Sequence, residues 1–242
     1  MQSKESLTGF VLHRRPYQET SMLLDFFTLE YGRVSAVAKG VRGSAKSDRK
    51  SLLQPFQLLE FVLSGRSNLK NLGRLEAAKQ PIPLKQNALY CGLYINEVLV
   101  RALPETEPVE GLFNQYSDTL HDLSNVTSQA LPNLESTLRN FEFVLLQEMG
   151  YLPDFTCDAE SSDPIDPGKY YFLDPQLGFC ATHENMKNAI LGKYLLGLAN
   201  QSDFSEAKDQ KELMRVAKQI CRLSLIQIIG NKPIKAREFF VN

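Results

Sequence analysis

The chain has 242 residues, of which 43% are hydrophobic, and its formal net charge is −1. This length exceeds that of a typical single domain, and the apolar content is sufficient for a sizeable core, so we expect two packed units. No apolar run approaches the length that a membrane-spanning helix needs, and the first residues lack the apolar stretch of a secretion signal. These features exclude a membrane-spanning protein and predict a cytoplasmic one.

The near-neutral total conceals three segments of different charge. Residues 1–80 contain thirteen Lys and Arg against seven Asp and Glu, residues 81–186 contain four against sixteen, and residues 187–242 contain ten against five. Two basic segments therefore flank an acidic middle. This pattern is typical of a protein that binds a polyanion at one end while another face has a different role.

Residues 9–79 have the pattern of short β-strands. Five segments rich in β-branched, aromatic and aliphatic residues alternate with turn signals such as Ser64-Gly65. The predicted strands are Phe10–Arg14, Met22–Thr28, Val34–Lys39, Phe56–Leu63 and Leu69–Ala77. Five strands in so short a segment favour a small closed barrel. The OB-fold is the barrel of this kind whose face and loops commonly bind oligonucleotides.

Most basic residues of this segment lie at the ends of the predicted strands. The stretch from Gly40 to Lys50 is rich in Gly, Ser and cations, and it predicts a mobile loop after the third strand. Such a loop attracts polyanions, although a short basic run can equally be a solvated hairpin tip. The candidate polyanion-binding residues here are Arg14, Arg15, Arg33, Lys39, Arg42, Lys46, Arg49, Lys50, Arg66, Lys70 and Arg74.

Helical periodicity replaces the strand pattern after residue 80. We therefore predict an OB-fold domain at 1–80 and an α-helical domain at 81–242, which gives an α+β fold class. An irregular segment with a hairpin interrupts the helical domain at about 151–184. The predicted helices span 84–103, 109–123, 133–149, 185–199 and 204–229. Gly230 is expected to end the last helix.

Catalytic machinery is scarce in this sequence. His13, His121 and His183 have no ligand partners close in sequence, and a lone His is commonly a surface or packed residue. The tract 40–47 contains glycines and Lys-Ser, but it lacks the spacing of a phosphate-binding loop. The chain is therefore predicted not to be an enzyme and to need no cofactor.

Six segments distributed over the chain carry a family resemblance. They are Gly9–Leu23, Phe27–Arg42, Leu53–Phe56, Leu89–Leu99, Leu138–Glu142 and Gly230–Glu238. In this order they resemble the RecO family of bacterial recombination mediators and DNA repair proteins. The resemblance covers essentially the whole chain.

The resemblance implies an OB barrel on a helical domain, without enzymatic activity. Proteins of this kind bind single- and double-stranded DNA, anneal complementary strands, dock on the C-terminal tail of single-stranded-DNA-binding protein, and work with RecR and RecF to help RecA displace that protein. The expected polyanion is thus DNA, and the expected location is the nucleoid. We expect Lys232, Lys235 and Arg237 to extend the DNA-binding or partner-binding surface, although a charged terminal segment is also typical of a solvated tail.

Some members of the family hold a zinc ion with four cysteines in the helical domain. Here the corresponding region offers only Cys157 and Cys180, with His183 nearby, so a fourth ligand is missing. A four-ligand structural zinc site is therefore not expected.

A receptor for the tail of single-stranded-DNA-binding protein needs an apolar hole and a cation that grips a carboxylate. Arg139, beside Leu138 on the third predicted helix, is the candidate, and we expect it to be half-buried. The alternative is that Arg139 bridges to Glu135, Glu142 or another helix.

Two other functions fit parts of the sequence. An RNA-binding OB protein of translation or RNA processing would fit the barrel and the basic loop equally well. A nuclease or another DNA-modifying enzyme would require metal-dependent turnover of DNA.

Overall fold

The computed structural model describes residues 6–42, 48–126, 131–200 and 210–240. Within these ranges no helix combines the length and the apolar character needed to cross a lipid bilayer. The chain divides into two compact units. One contains the N-terminal strands, the two helices that follow them and the segment from Pro233, and the other extends from Glu135 to Lys232. The domain boundary that we predicted near residue 80 differs from this division, because we placed it where the strand pattern changes to a helical one.

Five strands form a closed barrel in the first unit. They are β1 Ser6–Tyr17, β2 Ser21–Thr28, β3 Gly32–Ala38, β4 Leu58–Ser64 and β5 Lys70–Ala77. Their order around the barrel is β1-β2-β3-β5-β4, and β4 returns to β1. All neighbours are antiparallel except β3 and β5. The predicted fold class, an OB-like barrel followed by helices, is confirmed.

Alternating side chains fill the barrel. Val34, Ala36 and Ala38 of β3 are buried in its core, as their alternation with Ser35 and Val37 predicts. A barrel of five short strands packed in this way has no lumen for a ligand. Any binding surface of the barrel must therefore lie on its outside or at its ends.

Two helices cover part of the outside of the barrel. They are α2 Gln86–Ala102 and α3 Glu110–Asn125. Phe10 of β1 and Phe27 of β2 contact Phe113 and Tyr116 of α3, with ring centroids 5.1–6.0 Å apart. This face is occupied by intramolecular packing, so it is not a candidate for binding.

Replacing Tyr116 with Phe should lower the free energy of unfolding by about 1–3 kcal/mol. The Tyr116 hydroxyl donates to Asn96 Oδ1 at 2.7 Å, and Asn96 Nδ2 donates to the Leu12 carbonyl at 3.1 Å, all in buried surroundings. The change deprives a buried amide oxygen of this donor. Urea unfolding measures the loss, and Tyr151→Phe, at an exposed ring, is the control that should change little. Equal stability of the two variants would contradict the prediction.

Most of the remaining elements belong to the second unit. They are α4 Leu131–Glu148, β6 Tyr170–Asp174, β7 Gly178–Thr182, β8 Ile190–Leu191, α5 Gly192–Ala199, α6 Gln210–Ile229 and a 3-10 helix, Lys235–Phe240. The predicted hairpin is confirmed as β6 and β7, and β8 extends it to a three-stranded sheet. Phe155, Phe179, Leu195 and Val216 share one core with this sheet. Gly230 follows α6 with a φ of 70°, which confirms the predicted helix end.

Two local predictions were wrong. The predicted loop through Lys50 instead contains a short helix, α1 Asp48–Leu52. The helix predicted over 185–199 begins only at Gly192, because Ile190–Leu191 pairs with β6 as strand β8. The start of the last predicted helix, 204–209, lies outside the described residues.

Candidate nucleic-acid interface

The strand register brings the β1–β2 turn and the end of β3 together at one end of the barrel. Met22 of β2 pairs with Pro16 of β1 on one side and with Ala38 of β3 on the other. Paired strands are about 5 Å apart. Arg15 and Lys39, both exposed, therefore lie at the same end of the barrel.

Arg42 joins this group through contacts with the β1–β2 turn. Its backbone N–H donates to the Thr20 carbonyl at 2.9 Å, and its Nη1 donates to the Gln18 carbonyl at 3.1 Å. The side chain is nevertheless exposed. Lys46, the next predicted cation, lies outside the described residues.

Two arginines hold the segment around α1 against the barrel. Arg49 Nη2 donates to the Gly73 carbonyl of β5 at 2.7 Å, and Arg14 Nη1 donates to the Leu53 carbonyl at 3.2 Å. Lys50, on the same short helix, is exposed. Gly73 lies toward the end of the barrel that carries Lys39, because β5 runs parallel to β3 and Asn71 pairs with Val37. Arg14 and Arg49 are thus engaged in positioning this segment, whereas Lys50 extends into solvent.

Arg33 is engaged in contacts within the first unit. Its Nε donates to the Leu103 carbonyl at 3.0 Å, and its guanidinium lies 3.4 Å from Glu105 and 3.8 Å from Asp25. Only 18% of the side chain is exposed. We therefore leave Arg33 out of the proposed DNA-binding surface.

The carboxylate of Asp25 offsets the charge of Arg33. Burial opposes its ionisation, but hydrogen bonds from His13 and Ser35 and the charge of Arg33 outweigh burial and keep the pKa of Asp25 below its usual value. The carboxyl is therefore ionised near neutral pH.

Three predicted cations lie on the β4–β5 hairpin. Arg66 is exposed in the turn, and Lys70 Nζ lies 3.4 Å from the Gly65 carbonyl. Arg74 forms an exposed ion pair with Glu76 at 3.1 Å. The charge of Arg74 is thus partly balanced, whereas Arg66 forms no ion pair among the described residues.

We call Arg15, Lys39, Arg42 and Lys50 the basic rim. All four are exposed, and among the described residues none of them forms an ion pair. Glu19 in the β1–β2 turn is exposed beside them. The four cations of the basic rim are therefore accessible to phosphates.

Two of the predicted C-terminal cations, Lys235 and Arg237, belong to a segment that is docked on α2. The backbone N–H groups of Lys235 and Ala236 each donate to a Glu97 carboxylate oxygen at 2.9 Å. This carboxylate caps the 3-10 helix as a side chain caps an α-helix. Lys232 and Lys235 are exposed.

Aromatic rings follow these cations, and the sequence predictions did not include them. The guanidinium of Arg237 lies over the Tyr94 ring, 5.5 Å from its centroid. Phe239 stacks on Tyr90 at 5.2 Å, and Phe240 meets the same ring at 6.1 Å. Two adjacent Phe residues after the sequence Lys-Ala-Arg-Glu were the signal in the sequence.

Arg139 is buried, and the expectation of a half-buried side chain was wrong. Its Nε and Nη2 each lie 3.1 Å from a Glu142 carboxylate oxygen, and the two side chains are 7% and 1% exposed. This is the intramolecular bridge that the sequence left open as an alternative. Leu138 is also buried.

Burial, followed by the charge of Glu142, raises the pKa of the nearby Cys221 thiol well above its usual value.

The described residues contain no group of three or more His, Cys, Asp or Glu side chains that could hold a metal ion. Cys157 contacts Asp154 Oδ2 at 3.4 Å, and Cys180 is buried.

Comparison with known proteins gives consistent matches. The family description "Recombination protein O N terminal" matches residues 1–81, and "Recombination protein O C terminal" matches residues 85–238. A protein of Alteromonas mediterranea named DNA repair protein RecO is 44% identical over 241 residues, 99% of this chain and 98% of its own length. Proteins of the same name from Pseudoalteromonas atlantica and Haemophilus influenzae strain PittGG are 46% and 42% identical, and the matches cover 98% and 99% of this chain and 94% and 97% of theirs.

Proposed function

We propose that this chain, which belongs to the RecO family of DNA repair proteins, is a non-enzymatic recombination mediator that binds DNA through its basic rim and anneals complementary strands. The observation that supports this most directly is the group of four exposed cations at one end of an OB-like barrel. Contacts with phosphates account for most sequence-independent affinity for nucleic acid.

Annealing requires that two strands approach while their phosphates repel one another. A basic surface reduces this repulsion by neutralising phosphates, and it leaves the bases free to pair if it does not grip their edges. An exposed rim fits this requirement better than a deep groove that reads sequence. We therefore propose that the rim binds single- and double-stranded DNA alike.

We further propose that the chain acts with RecR, and with RecF where it is present, to help RecA load on DNA coated by single-stranded-DNA-binding protein. Family membership supports these partners. Binding of that protein's tail needs a test of its own, because the candidate receptor residue, Arg139, is buried against Glu142.

Annealing of complementary oligonucleotides precoated with single-stranded-DNA-binding protein tests the proposal. We expect the chain to accelerate annealing, followed by energy transfer between dyes on the two strands, because it neutralises phosphates on both. Competition with RNA of the same sequence is the control. No acceleration would refute the mediator role, and a clear preference for RNA would favour an RNA-binding OB protein.

A further inference from the structure

We propose that Phe239 and Phe240, supported by Tyr90, form an aromatic platform on which bases of single-stranded DNA stack. This inference rests on the proposed DNA-binding function, and it adds a base-contacting site on the C-terminal 3-10 helix. The basic rim supplies contacts with phosphates, whereas this platform would bind the flat faces of bases.

The exposure of these rings is the first observation. Phe239 is 48% exposed and Phe240 is 44% exposed, although both are large apolar side chains. One face of Phe239 packs on Tyr90, with the ring centroids 5.2 Å apart and the planes 20° from parallel. The exposed area of Phe239 therefore lies on its opposite face and its edges. A base can continue this stack.

The second observation is that the platform is held in place before any ligand arrives. The Glu97 carboxylate accepts the N–H groups of Lys235 and Ala236. Arg237 lies over Tyr94 and also donates to its hydroxyl at 3.4 Å. These contacts fix the 3-10 helix on α2. A preorganised ring loses little conformational freedom when a base binds, which favours affinity.

The charges around the rings favour nucleic acid over an apolar protein surface. Lys235 and Arg237 lie on the same 3-10 helix, and Arg101 of α2 contacts the Pro233 carbonyl at its start. Of the acids close by, Glu97 is already engaged with backbone N–H groups and Arg101. Glu238 of the 3-10 helix is exposed, so the two cations of this helix outweigh one acid. A flat aromatic face beside cations is the combination that single strands bind, through base stacking together with phosphate contacts.

A tryptophan reporter tests the stacking directly, because the chain contains no Trp. In the full-length Phe239→Trp variant, the emission of this single indole should be quenched when a deoxythymidine oligonucleotide binds. An abasic oligonucleotide of the same length is the control, since it offers phosphates without bases. It should bind in a fluorescence-anisotropy assay but leave the emission nearly unchanged.

Affinity measurements with two further variants complete the test. Phe239→Ala should weaken binding of the deoxythymidine oligonucleotide about five- to thirty-fold, with little change for the abasic one. Phe239→Leu keeps an apolar side chain but removes the flat face, so it should also weaken binding. If Phe239→Leu binds as the wild type does, binding does not need a flat aromatic face and the stacking proposal is wrong.

The outcomes separate this inference from the proposed function. If the wild-type chain binds neither oligonucleotide, the proposed DNA binding fails and the platform fails with it. If it binds both, but the Phe239→Trp emission does not change and Phe239→Ala binds normally, only the platform is refuted. Circular dichroism of each variant verifies that the helical content is retained.

Discussion

Replacing Arg139 with Ala is expected to lower the free energy of unfolding by about 3–5 kcal/mol. The guanidinium lies against the Glu142 carboxylate in surroundings where the two side chains are 7% and 1% exposed. Removing the cation takes this ion pair away from the buried Glu142 carboxylate, and a buried charge that loses such compensation is costly in a medium of low polarity. Denaturant unfolding at neutral pH, followed by circular dichroism, measures the effect.

The matched control removes both charges. The double variant Arg139→Met with Glu142→Leu should be far closer to the wild type than either single variant, because well-packed apolar residues often replace a buried ion pair at little cost. If Arg139→Ala unfolds at the same denaturant concentration as the wild type, the pair contributes nothing to stability and the prediction is wrong.

The same double variant tests the predicted role of Arg139 in partner binding. A stable protein without the guanidinium separates receptor function from folding. A loss of about ten-fold in affinity for the tail peptide of single-stranded-DNA-binding protein, by isothermal titration, would support a receptor role. Unchanged affinity would assign Arg139 to the fold alone. The receptor role stays a prediction, and it requires that a peptide carboxylate compete with Glu142.

The strands could be predicted because their signals are local. Alternation places Val34, Ala36 and Ala38 on one face, and a turn residue such as Gly65 separates neighbouring strands. Closure of the barrel was a weaker inference, because strand count alone does not specify the parallel pairing of β3 with β5.

The elements that the sequence did not predict depend on contacts distant in the chain. Helix α1 is too short to be stable by itself, and Arg49 holds it through carbonyl groups of β5. Strand β8 has only two residues, and its pairing with Tyr170 and Tyr171 defines it. Neither the contact of Arg49 with β5 nor the pairing of β8 with Tyr170 and Tyr171 can be recognised from the local pattern of residues.

The sequence shows which side chains are charged, but it does not show which other groups they contact in the fold. Arg33 lies near the start of β3 and Lys39 directly follows its end, yet Arg33 donates to the Leu103 carbonyl and pairs with Glu105, whereas Lys39 is exposed. Similarly, Phe239 has an apolar side chain that is typical of a core, but it is 48% exposed and stacks on Tyr90. In each case the tertiary partner decides the role.

Reversing the charge of two rim residues, Lys39→Glu with Lys50→Glu, should weaken binding of single-stranded DNA roughly ten- to a hundred-fold at moderate salt. Both side chains are exposed, and neither is engaged in an ion pair among the described residues, so the fold should tolerate the change. A plot of log affinity against log salt concentration has a negative slope, and each lost phosphate contact reduces the magnitude of this slope by about 0.7 for single strands. Fluorescence anisotropy over a salt series should therefore show a slope shallower by about 1.4.

The matched control reverses two exposed lysines elsewhere, Lys79→Glu with Lys187→Glu, and so changes the net charge by the same amount. If DNA responds only to net charge, both double variants should lose affinity equally. If phosphates bind at the basic rim, the control should keep the wild-type slope, because it removes no contact. A folded rim variant with an unchanged slope would place the DNA-binding surface elsewhere on the chain. Equal effects of the two double variants on affinity would reduce the role of the rim to a general attraction.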